Sequence, residues 1–159
     1  MLTQQQVKEN FDYHSDGYLI RITNTKNQVK INAKAGCLHS SGYIIIKLKN
    51  KPYKAHRLIW LWHHGEWPKQ DIDHINMIRH DNRIENMREA TRSQNCMNKT
   101  MYSSNKSGFK GVYQRGKKFG AEIMLNYERI KLGIFETAEE AHNAYCQAAK
   151  IYHKEFKQT

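Results

Sequence analysis

Short apolar runs alternate with turn residues through the first 55 positions, and helical spacing appears only after them. Tyr18-Leu19-Ile20-Arg21-Ile22 and Tyr43-Ile44-Ile45-Ile46-Lys47-Leu48 are rich in β-branched and aromatic residues and predict strands. Asp16-Gly17, Ser41-Gly42 and Asn50-Lys51-Pro52 punctuate them as turns. From Ala55 to His63, Leu58, Leu61 and Trp62 fall at helical spacing, which predicts a short helix ended by Gly65 and Pro68. Further on, Ile72 and Ile75 flank Asp73-His74, and a loop rich in Asn, Arg and Asp follows at 76–86. Thr91-Arg92-Ser93-Gln94 is a capping box, in which a Thr hydroxyl and a Gln three residues on satisfy two orphan amides. A helix is therefore expected just after Thr91, with Asn95 in its second turn.

Positions 98–107 are polar, rich in Ser and Asn and aperiodic, as in a linker. Three short strands are expected at 109–114, 119–125 and 129–132, turning at Arg115-Gly116-Lys117 and Asn126-Tyr127-Glu128. A second capping box, Thr137-Ala138-Glu139-Glu140, opens a helix with Ala141, Ala144, Tyr145, Ala148, Tyr152 and Phe156 on one stripe. The alanines allow this helix to pack closely on the back of the sheet and leave the other sheet face open. The pattern is α+β in two parts: a β-rich N-terminal region running into the 71–98 segment, and a three-stranded antiparallel sheet packed on one helix over 107–159, joined by 99–106.

Length and composition narrow the class. The chain has 159 residues, enough for one ordinary domain or two very small ones. Its longest apolar runs, 58–62 and 43–46, fall far short of the roughly 20 residues that span a bilayer. Met1-Leu2-Thr3-Gln4-Gln5-Gln6 offers no apolar stretch for a secretory signal, so a cytoplasmic protein is expected. Cys37, Cys96 and Cys146 form no C-x-x-C pair, which argues against a thiolate zinc site or a disulfide framework. Hydrophobic residues are only 39%, but seventeen aromatics can anchor small cores and argue against wholesale disorder.

The charge changes the picture most. A net +11 makes nucleic acid the first partner to suspect. Between positions 17 and 65 stand nine Lys or Arg and no acid; 69–98 carries five of each sign; 99–159 carries eleven against six. A neutral island between two basic flanks is what a carboxylate-containing reaction centre inside a polyanion-binding protein would produce.

That island holds the informative constellation: Asp73-His74, then Asn86, then Asn95. Asp73 supplies a carboxylate to a hard divalent cation, and Asn95 can present a neutral amide oxygen to the same ion. His74, adjacent to Asp73, would point to the opposite face of a strand. Its ordinary pKa of about 6.5 leaves it largely neutral near neutral pH and able to take a proton from water. Asn86 sits where the loop returns and can fix it through the backbone, with Asn82 competing for that role. Phosphodiester hydrolysis needs such parts: a base, a metal and a rigid frame. His14, His39, His80, His142 and His153 read as surface or packing residues, and His63 and His64 as the end of a helix.

Asp73-His74, Asn86 and Asn95 together resemble the ββα-metal motif of HNH endonucleases. His56-Arg57-Leu58 and the 81–88 loop resemble the subgroup found in phage and intron-encoded homing enzymes. The resemblance implies that His74 is the general base, Asp73 and Asn95 are metal ligands for Mg²⁺ (Mn²⁺ being the alternative), and Asn86 is structural. His56 and Arg57 fall among the residues expected at the DNA.

The C-terminal module has its own likeness. Lys110-Gly111-Val112-Tyr113-Gln114-Arg115, Ala121-Glu122-Ile123, Leu132-Gly133-Ile134-Phe135 and Thr137-Ala138-Glu139-Glu140-Ala141 resemble the DNA-binding domain of plant ethylene-response factors. In that family the sheet lies in the major groove. Tyr113 and Met124 stand where those domains usually carry Arg, and the first turn is one residue short, so base specificity does not transfer. Lys110, Arg115, Lys117, Lys118, Arg129 and Lys131 remain as phosphate or base contacts. Tyr113 and Phe119 offer contact to thymine methyls, and Phe119 reads better as core.

The expectation is thus a DNA endonuclease, a phosphodiester hydrolase of phage or mobile-element homing type. It would act on double-stranded DNA as a monomer that nicks, in the host cytoplasm and away from membranes. The rivals are a non-catalytic sequence-specific DNA-binding regulator on the same fold, and RNA cleavage by the same centre.

Overall fold

The computed structural model describes residues 1–23, 31–98, 101 and 104–153. Among these residues it is a mixed α+β protein with several small sheets and four helices, in two compact units, Met1–Glu89 and Ala90–Thr159. Within the expected linker, 99–100 and 102–103 lie outside the described residues, as do Lys26, Lys30 and Phe156. Among the described residues no helix is long and apolar enough to cross a membrane.

The first unit opens with a helix that the strand-and-turn reading of this region did not include, α1 (Gln4–Lys8). Its cap is a complete box between Thr3 and Gln6. Strands β1 (Phe11–His14) and β2 (Tyr18–Arg21) form an antiparallel hairpin that pairs His14 with Tyr18. Gly17 closes it at φ +83°, a left-handed conformation that L side chains rarely adopt. A second antiparallel sheet orders β3 (Cys37–Leu38), β4 (Ile44–Leu48) and β5 (Lys51–Lys54). The β4–β5 turn is Lys49-Asn50, both at positive φ, rather than the expected Asn50-Lys51-Pro52. Leu48 pairs with Lys51, so a two-residue loop suffices and the chain twists correctly only with both residues left-handed.

Helix α2 (Ala55–His64) follows directly and ends on left-handed Gly65, whose N–H bonds the Leu61 carbonyl. It buries Leu58, Ile59 and Leu61 against Val7, Phe11, Leu19 and Ile46. Burial of each such side chain contributes ~1.5–3 kcal/mol. The indoles also act as fasteners: Trp62 donates to the Phe11 carbonyl at 3.2 Å and Trp67 to the Leu2 carbonyl at 2.9 Å. Strands β6 (Asp71–His74) and β7 (Met87–Ala90) form a two-stranded sheet, and a 3-10 turn (Ile84–Asn86) leads into β7.

In the second unit α3 (Arg92–Met97) carries the Thr91/Gln94 box, and α4 (Ala138–Tyr152) the Thr137/Glu140 box. Antiparallel strands β8 (Val112–Arg115), β9 (Lys118–Leu125) and β10 (Glu128–Phe135) lie in sequence order. Val112, Ala121 and Ile123 pack against Ala141, Tyr145, Ala148 and Ala149. Tyr152 is exposed instead of buried; the inward row runs Ala141, Tyr145, Ala149, His153. An i,i+4 row is inclined to the helix axis, so it drifts away from the stripe that a 3.6-residue period draws.

Candidate active site

The sharpest chemistry in the first unit lies where β6 ends. Ile72, Asp73 and His74 are all buried, and strand alternation sends the carboxylate and the imidazole to opposite faces. The loop 75–86 returns to β7 and is closed at its base by Asn86. That side chain donates to the Asn76 carbonyl oxygen of the amide at 2.9 Å and to the Asp81 backbone carbonyl at 2.8 Å. It also accepts from the Asn76 backbone N–H at 3.1 Å, while its own carbonyl accepts from Ile75 at 2.9 Å. One amide thus satisfies three loop groups that burial would otherwise leave unpaired. Asp81 adds a second tie, accepting from Asn76 at 2.6 Å and from the Arg83 guanidinium. That guanidinium holds the Asp81 carboxyl down at about 2.

Asn82 has a different task. It is 1% exposed, and its amide oxygen lies 3.0 Å from His74 Nε2. An amide oxygen only accepts, so Nε2 carries the proton and the lone pair of the neutral ring falls on Nδ1. Burial pushes the His74 pKa below its ordinary value, opposed by the Asn82 hydrogen bond and the nearby Asp73 charge. The two asparagines therefore divide what the sequence left as one role: Asn86 ties the loop, and Asn82 orients the ring.

His56, in the first turn of α2, lies edge-on to His74 with ring centroids 5.2 Å apart. It is 5% exposed, and burial together with the His74 charge pushes its pKa down to about 3. A neutral, buried imidazole makes it a packing partner of His74 rather than an exposed phosphate contact. Arg57, beside it, places its guanidinium 5.8 Å from the Trp67 ring. Asp73 receives Arg88 of β7, with Nε at 3.0 Å and the terminal nitrogen at 2.9 Å. Arg88 stood inside the quoted loop motif without a role; opposite charges on two strands of one sheet were the available signal.

The structure therefore brings Asp73, His74, Asn86 and His56 into one neighbourhood of the first unit. Asn95 stands on α3 of the second unit, half-buried, at the fourth helical position. In that unit Arg115, Lys117, Lys118, Arg129 and Lys131 are exposed. Lys118 pairs with Glu136, and Arg129 with Glu122 at 3.3 Å. Tyr113 lies across Gly120, its cross-strand partner, where a Cβ would come within 2.3 Å of the ring. Lys110 departs from the open-face expectation: it is half-buried, its ammonium donates to the Met97 carbonyl at 3.0 Å, and burial lowers its pKa. Phe119 packs with Val112 and Ala121, as a core residue.

The loop has support that sequence reasoning missed. Tyr13 of β1 accepts the Ile84 N–H through its hydroxyl at 3.2 Å. A Cβ on Gly17 would lie 2.3 Å from the Arg83 nitrogen and 2.6 Å from the Asn82 carbonyl carbon. The β1–β2 hairpin is thus the bed on which the Asn82 segment rests. The sequence marks Gly17 only as a turn residue, because the close approach is a tertiary fact.

Residues 53–97 match the HNH endonuclease family. No curated protein and no solved structure matches the chain. The family match supports a nuclease, with the DNA substrate and the divalent metal that HNH nucleases generally use. The buried Asp73 carboxylate, inside the matched stretch, is an oxygen donor of the kind a hard ion prefers. Among the described residues no three His, Cys, Asp or Glu side chains gather as a metal cage. Mg²⁺ commonly binds through one or two protein oxygens, completing its shell with water and substrate phosphate.

Proposed function

We propose that the chain is a homing-type DNA endonuclease that hydrolyses one phosphodiester per catalytic centre and so nicks duplex DNA as a monomer. The observation that carries this reading is the buried His74 ring, held by Asn82 through Nε2 and next to the buried Asp73 along β6, inside the family-matched stretch. His74 is the general base. Its low pKa keeps it neutral at physiological pH, and its tautomer leaves Nδ1 to take a proton from water. Asp73 and Asn95 would hold Mg²⁺, or Mn²⁺ in its place, and the ion when bound supplies stabilisation of negative charge on the phosphate and leaving oxygen. Asn86 keeps the loop closed so that the ring stays aimed, and His56 supports the ring from behind.

The second module serves placement. Its sheet and the β8–β9 turn carry Arg115, Lys117, Lys118, Arg129 and Lys131 on exposed positions beside the half-buried Tyr113, and its likeness to ethylene-response-factor domains points to duplex DNA. A working division of 1–98 as nuclease, 99–106 as linker and 107–159 as DNA-binding module accompanies this reading, with a phage or mobile-element origin and a cytoplasmic site of action. Nicking of supercoiled plasmid tests it. Open circles should accumulate with Mg²⁺ or Mn²⁺ and vanish with chelator, and His74→Ala should lose ~10²–10⁴ in rate. Undiminished cutting by His74→Ala, or no cutting by the native chain in any divalent metal, would overturn the assignment.

A further inference from the structure

Two cations of the first unit converge on one aromatic ring close to the candidate base. Lys54 Nζ lies 4.4 Å and the Arg79 guanidinium carbon 5.4 Å from the Tyr43 ring centroid. The same ring stands 5.1 Å from His56 and 6.2 Å from His74. Tyr43 precedes β4, outside the family-matched stretch, and none of the three residues belongs to the Asp73-His74-Asn86-Asn95 set.

Arg79 is fixed by three successive residues of the β3–β4 turn. It donates to the Ser41 carbonyl at 2.9 Å, its stem passes Gly42 where a Cβ would meet Cδ at 3.5 Å, and its guanidinium lies by the Tyr43 ring. That turn is itself braced by His39 Nδ1 and the Ser41 hydroxyl at 2.9 Å. Lys54 stands at the end of β5 where α2 begins.

Their company sets these cations apart. Arg83, Arg88, Lys118 and Arg129 each answer a carboxylate, whereas among the described residues neither Lys54 nor Arg79 forms an ion pair. The groups facing the ring are two cations and two imidazoles. Two like charges held at one ring without an acid repel each other until an anion joins them, and both remain exposed to receive it.

We infer that Lys54 and Arg79, spaced by Tyr43, form a phosphate-binding site beside His74 that takes a backbone phosphate of the DNA. The site deepens the nuclease reading and rests on it: its task is to seat the strand against the base. Arg79 presents a planar fork and Lys54 a point charge, a combination suited to phosphate oxygens.

The test uses the full chain and a fluorescent DNA duplex, with chelator present so that binding is read without cleavage. Affinity is followed from about 50 to 200 mM salt for the native chain, Lys54→Gln, Arg79→Gln, the double variant and Lys150→Gln as a comparison cation on α4. Each site variant should bind ~3–10-fold more weakly, and each should make the slope of log K against log salt shallower by about 0.9. The double variant should lose about twice as much slope, and Lys150→Gln none. Both side chains are exposed, so circular dichroism should show native folding. Unchanged slope and affinity in the folded double variant would sink the proposal. A native chain that never cuts DNA, while the variants lose slope as expected, would instead sink the nuclease reading and leave the phosphate site standing.

Discussion

Asn82→Ala separates ring orientation from everything else in the site. The Asn82 oxygen is the acceptor 3.0 Å from His74 Nε2, and at 1% and 5% exposure neither residue is open to replacement by bulk water. Leaving a buried N–H without an acceptor costs about 1–3 kcal/mol. The neutral ring can avoid that cost by moving its proton to Nδ1, the atom that must stay unprotonated to act as base. The reactive tautomer then stands about 1–3 kcal/mol uphill, which lowers the rate about 5- to 150-fold. Single-turnover nicking at saturating protein should show that loss across the pH plateau, with DNA affinity changed less than about threefold. Asn82→Asp supplies the complementary result. A carboxylate still accepts from Nε2, so the tautomer is kept, but its charge favours the imidazolium and raises the His74 pKa by about 1–3 units. In the native chain burial has lowered that pKa, so the neutral base predominates at neutral pH and is lost on acidification. In Asn82→Asp the rise in rate with pH should be displaced toward alkaline values. An Asn82→Ala plateau equal to the native one, or an Asn82→Asp profile superimposable on it, would refute the argument.

Three further outcomes follow from the same geometry. Gly17→Ala forces a side chain into a left-handed residue and into the Arg83 backbone at 2.3 Å, so chemical denaturation should show a loss of at least 1–2 kcal/mol and nicking should slow as Asn82 shifts; native values for both would mean that the hairpin does not support the loop. His56 titrates at about 3 in the folded state against an ordinary 6.5, so the native state binds fewer protons and its stability is present above pH 6.5 and lost progressively as pH falls toward 3. At pH 4.5 this one group costs about 2–3 kcal/mol, and thermal unfolding at pH 7.5 and 4.5 should show a distinctly smaller acid-induced drop for His56→Gln than for the native chain. Thr137→Ala removes the hydroxyl that accepts the Glu140 N–H at 3.2 Å, which should cost ~1 kcal/mol and lower the melting temperature of the second unit by about 4–8 °C; an unchanged melting curve would show that the cap is dispensable.

What the sequence alone determined is local. The Thr91/Gln94 and Thr137/Glu140 boxes place two helix starts, and Gly65 places a helix end, because the bonds involved span only three or four residues. Thr3 and Gln6 carry the same signature, but α1 has a single buried apolar residue, Val7, and so no stripe to announce it. Asp73, His74 and Asn86 were legible as candidates because their spacing sets the length of the loop between β6 and β7. Tertiary structure decided which atoms meet. It gave Asn86 the backbone and Asn82 the imidazole, set Arg88 on Asp73, and buried His56 against His74. It turned Lys110 inward and drew Tyr43 and Arg79 to the same ring neighbourhood from distant stretches of chain. Spacing encodes contacts that one turn of helix or one strand can reach. Contacts across dozens of residues exist only once packing has made good the entropy of closing the loops between them, and no local pattern records which partner wins.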